Sequence, residues 1–83
     1  MASNYRALRS QFIRLAAKQE IEFEAGEGCI LIPQDDSKVY LHWLNENGKL
    51  VSTYTLTMPT AVHNKLKLIN SNTNPTRIHV ITL

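Results

Sequence analysis

The sequence predicts an α+β fold, a two-layer sandwich of order α-β-β-β-β-α-β. An antiparallel four-stranded meander plus a C-terminal strand carries both helices on one face. Three observations predict it. Apolar residues recur every three or four positions near the N-terminus, three turn-forming stretches separate apolar segments of strand length, and a second apolar stripe follows a proline. The 83 residues make a single domain, 1–83.

Each element has a local reason. Residues 4–19 read as an amphipathic helix, with Tyr5, Leu8, Phe12, Leu15 and Ala16 on one side, Arg6, Arg14 and Lys18 on the other, and Ser3 as N-cap. Ala25-Gly26-Glu27-Gly28 reads as a tight hairpin turn, which pairs Glu24 with Cys29, Phe23 with Ile30, Glu22 with Leu31 and Ile21 with Ile32. Gln34-Asp35-Asp36-Ser37 reads as the next turn, pairing Ile32 with Val39, Leu31 with Tyr40, Ile30 with Leu41 and Cys29 with His42. Asn47-Gly48 is the strongest hairpin signal, a type I′ pair that sets Leu44 against Val51, Trp43 against Ser52, His42 against Thr53 and Leu41 against Tyr54. A second helix begins at Met58-Pro59-Thr60, with Val62, Leu66 and Ile69 as its stripe. The polar run from Asn70 to Pro75 ends it. Residues 77–83, rich in β-branched side chains, form the last strand, placed antiparallel beside 20–24 in preference to parallel beside the fourth strand.

Opposed residues share a face of a sheet. The three turns therefore predict one core face of Ile21, Phe23, Ile30, Ile32, Val39, Leu41, Trp43, Leu50, Tyr54 and Leu56. The other face then grades from Glu20, Glu22 and Glu24 at one edge to an apolar middle. Leu31, Tyr40, His42, Leu44 and Val51 form its candidate partner-binding patch.

Composition bounds the rest. At 43% hydrophobic and 19% charged, the chain is too apolar for disorder, and no run approaches a membrane span. A lone cysteine and the lack of a secretory signal point to the cytoplasm. The histidines His42, His63 and His79 have no metal-ligand spacing. Cys29 beside His42 is the nearest approach to a nucleophile pair, but it lacks an orienting third residue. No phosphate-cradling glycine motif exists, and the paired carboxylates sit in open positions. The expectation is a non-enzymatic protein without cofactor or metal. It docks on a protein partner or on itself, in the manner of the small accessory and inhibitory proteins of phages and mobile elements. The alternative is nucleic-acid binding through the helix backs, using Arg6, Arg14, Lys18, Lys65 and Lys67. The order is similar in general layout to the α-β-β-β-α of double-stranded-RNA-binding domains, with an extra strand and without the motifs that carry their RNA contacts.

Overall fold

The computed structural model describes residues 9–82. Among them there is no helix, and the architecture is all-β. Eight strands run as β1 (Arg9–Leu15), β2 (Glu20–Glu24), β3 (Cys29–Pro33), β4 (Val39–Leu44), β5 (Leu50–Leu56), β6 (Thr60–Val62), β7 (Lys65–Asn70) and β8 (Thr76–Thr82). They form two antiparallel four-stranded sheets, ordered β1-β8-β3-β6 and β2-β7-β4-β5.

The topology follows from one doubling of the chain. β1 pairs with β8, β2 with β7, β3 with β6 and β4 with β5, so the chain is a long antiparallel ribbon folded at the β4–β5 tip. The ribbon then rolls up, bringing β8 against β3 and β7 against β4. This connectivity is a jelly roll. Only β4–β5 is a hairpin within one sheet; every other connection crosses to the opposite layer.

The crossings explain which residues the core takes. A tight hairpin reverses the parity of inward side chains along the sequence, and a one-residue change of register moves a whole strand to its other face. The crossings here preserve parity. Among the described residues, every buried one before the tip is therefore odd-numbered, from Leu15 through Ala25, Cys29, Leu31 and Val39 to Leu41. Every one after it is even-numbered, from Leu56 through Val62, Leu66, Leu68, Asn70, Thr76 and Ile78 to Val80. Ile13, Ile21, Phe23 and Trp43 pack against this core from its margins.

The expected α+β sandwich is thus overturned, and its errors have separable causes. The stretches around Gly26 and Asp35 turn the chain into the other sheet rather than back beside itself. The four-stranded meander does not exist, and β2 pairs with β7 instead. Assuming two hairpins introduced two parity reversals. They cancelled for β4, whose Val39 and Leu41 are buried as expected, but turned β3 inside out. Cys29 and Leu31 face the core, while Ile30 and Ile32 are half-buried on the outside. At the margin of the core, Leu50 and Tyr54 are exposed.

The part of the expected first helix within the described residues is β1. Its seven residues pair from Arg9↔Thr82 to Leu15↔Thr76, with Ile13 and Leu15 inward and Phe12 outward. Ser3, Tyr5, Arg6 and Leu8 lie outside the described residues. The expected second helix is β6 and β7. Lys65-Leu66-Lys67-Leu68 alternates at period two, with both leucines buried, and that alternation is the strand signal the helical stripe obscured. The last strand, β8, lies between β1 and β3, at neither of its two expected positions.

The Asn47-Gly48 hairpin keeps its expected pairs from Leu41↔Tyr54 to Trp43↔Ser52, then shifts register so that Leu44 faces Leu50. Only Gly48 of the two has a positive φ, +78°, so the turn is not type I′. Asn45 N–H donates to the Lys49 carbonyl and Gly48 N–H to the Asn45 carbonyl. The Asn45 side chain also accepts from the amides of Asn47 and Lys49, closing a three-residue loop with glycine at its left-handed position.

Candidate functional site

With the core assigned, function is left to the two outer faces and the four sheet edges. On the outer face of the β2-β7-β4-β5 sheet the acidic row meets its counterpart. Glu20, Glu22 and Glu24 lie opposite Ile69, Lys67 and Lys65 of β7. The Lys67 ammonium sits 4.0 Å from Glu20. Opposite charges on neighbouring strands stabilise their pairing. The two lysines thus stand across from the acidic edge strand, Lys67 in an ion pair with it, and are not spread on a helix back. Lys18 lies in the β1–β2 turn at φ 63°, where its ammonium donates to the Ser71 carbonyl.

The expected docking residues separate. Leu31 is fully buried in the other sheet. Tyr40, His42 and Leu44 are half-buried on the outer face of β4, and Val51 is 65% exposed at the start of β5. Tyr40 stands opposite Thr55, and His42 opposite Thr53. The Cys29–His42 pair does not form: Cys29 points into the core from β3, and His42 lies on the outside of the other sheet. Burial raises the Cys29 thiol pKa, which favours the unreactive protonated form.

The edges differ in a way the sequence reading missed, because their identity depends on strand order. A free edge exposes unpaired backbone N–H and C=O groups, and proteins blunt it with charge, proline or shortness. β2 carries three glutamates; β1 carries Arg9 and Arg14; β6 has three residues and follows Pro59. β5 has seven residues, Leu50 to Leu56, with no charge, proline or glycine, and among the described residues it pairs only with β4. Leu50 and Tyr54 are exposed along it, and Met58 follows just beyond. At its tip end a cleft of about 370 Å³ is lined by Trp43, Leu44, Val51, Ser52, His63 and Asn64. The Trp43 indole N–H is buried without a hydrogen-bond acceptor among the described residues.

The described residues contain no cluster of three or more histidine, cysteine or carboxylate side chains able to hold a metal. They also contain no helix long and apolar enough to cross a membrane. No protein-family model matches the chain, and no curated protein matches it.

Proposed function

We propose that this is a non-enzymatic binding protein that docks on a protein partner by accepting an extended strand of that partner along β5. The jelly roll hosts many unrelated functions, so the argument rests on the site and not on the fold. The observation that carries it is the contrast between β5 and the three other edges. An added strand completes hydrogen bonds that β5 otherwise leaves to water, and side chains beside it supply selectivity. Val51, Thr53 and Thr55 would flank the incoming strand on the outer face, with Tyr40, His42 and Leu44 one strand further in. The cleft beside Trp43 offers room for one apolar side chain. A lone buried cysteine suits a reducing cytoplasm as the setting.

The test is a paired substitution, Val51→Lys with Thr53→Lys, which places charge on the open edge without touching a buried side chain. Proteins retained by the native chain are compared with those retained by the variant, and amide exchange is measured in the complex. The expected result is a partner lost by the variant, with added protection of β5 amides in the native complex. A partner that both forms retain, with β5 exchanging freely, would rule the edge out.

A further inference from the structure

The opposite sheet carries a second feature, independent of β5. On the outer face of β1 and β8, Arg14 stands directly opposite Arg77, and two residues along Phe12 stands opposite His79. Like charges directly opposed across two strands repel. Both arginines are exposed, and among the described residues neither pairs with a carboxylate. They share a cleft of about 320 Å³ with Gln34, Asp35, Pro75 and Thr76. Asp35, the carboxylate in that cleft, is committed to its own loop: it accepts from the Ser37 amide at 2.8 Å and from the Thr76 hydroxyl at 3.0 Å.

Arg77 is held in place. Its guanidinium lies 5.0 Å over the Phe12 ring, and that ring stacks on His79 at 4.7 Å and 17°. The Ser10 hydroxyl and His79 Nε2 share a hydrogen bond that steadies the far end of the column. A guanidinium fixed by an aromatic ring loses less freedom on binding an oxyanion, and its fork matches phosphate geometry. Phe12 nevertheless keeps 52% of its surface exposed, so the column leaves aromatic surface open beside the cations.

We propose that this face binds single-stranded nucleic acid, with a backbone phosphate between Arg14 and Arg77 and a neighbouring base against the Phe12–His79 column. The two rows are two residues apart, roughly 7 Å along the strands, a span that one extended nucleotide covers. Cations beside stacking rings are the combination by which single strands are held without sequence preference. Glu20, Glu22 and Glu24, which would repel a polynucleotide, lie on the β2 edge of the other sheet. Of the residues expected to meet phosphates, Arg14 keeps that role and gains Arg77 as its neighbour, while Lys18, Lys65 and Lys67 do not share this face.

The experiment measures fluorescence anisotropy of labelled twelve-residue oligo(dT) and oligo(U) with the full chain across a salt series, with inorganic phosphate as competitor. One backbone phosphate held between the two arginines predicts a log–log salt slope of about −0.7, which falls towards zero when both are replaced. Arg14→Ala and Arg77→Ala should each weaken binding roughly tenfold or more. Phe12→Ala should weaken it by a similar factor with little change in slope. Lys67→Ala should leave it unchanged. Thermal midpoints check that each variant folds, and Arg14→Ala carries the test alone if Arg77→Ala does not. Failure of both oligonucleotides to bind, binding no tighter than inorganic phosphate, or binding that survives loss of both arginines overturns the proposal.

Discussion

Asn70 is a polar side chain with no exposed surface, and its environment shows how the sandwich closes at one end. Its amide nitrogen lies within 3.0–3.2 Å of the carbonyls of Leu15, Ala16 and Asn74, and its oxygen accepts from both the backbone and the side chain of Asn72. One residue thus ties the end of β1 to the loop between β7 and β8. Asn70→Leu keeps the branched shape but strips these buried groups of partners, so it should destabilise the fold by roughly 3 kcal/mol, read as a lower urea midpoint. That is a large share of the stability of a domain this small. The loop from Asn70 to Pro75 was legible as polar. The knot was not, because it joins residues 54 and 55 positions apart. Asp35 is similar: its place in a turn was readable, and the hydrogen bonds that lower its pKa come first from the adjacent Ser37 and only then from the distant Thr76.

At the scale of elements, the sequence misled where two periodicities overlap. Phe12 and Leu15 fit a helical stripe, yet Phe12 is outside and Ile13, which the stripe omitted, packs inward. Intrinsic preference is weak beside the backbone pairing that β8 offers β1 along its full length. β7 is the sharper case, since Lys65-Leu66-Lys67-Leu68 alternates in plain view and its lysines meet the acids of β2. Lys67→Glu would set a fourth acid among Glu20, Glu22 and Glu24. It should cost about 1 kcal/mol or less in low salt, with the loss shrinking as salt is added, measured by denaturation at two ionic strengths. An unchanged midpoint at low salt would mean that the ladder contributes nothing to the β2–β7 pairing.

At the scale of the molecule, the rolled ribbon makes the two termini interdependent. β8 is the partner of both β1 and β3, and Arg9 pairs with Thr82 across nearly the whole chain. Truncation after residue 75 should therefore abolish the cooperative unfolding transition rather than trim an end; a truncated chain that still melts cooperatively would contradict this. Such distant pairings also place refolding in the range of milliseconds to seconds. The candidate partner surfaces divide at this same scale. Tyr40, His42, Leu44 and Val51 stay outside, while Leu31 moves to the core because two assumed hairpins are crossings between sheets. The sequence by itself determined the strand segments from 20 to 56, the inward faces of β2 and β4, and the tip at Asn47-Gly48, because alternation and turn chemistry act between near neighbours. The tertiary structure alone decided which strands lie side by side, hence which edge is bare and which arginines meet. A glycine that lets the chain turn is equally compatible with returning in the same sheet and with crossing to the next, and only the burial of distant strands selects between them.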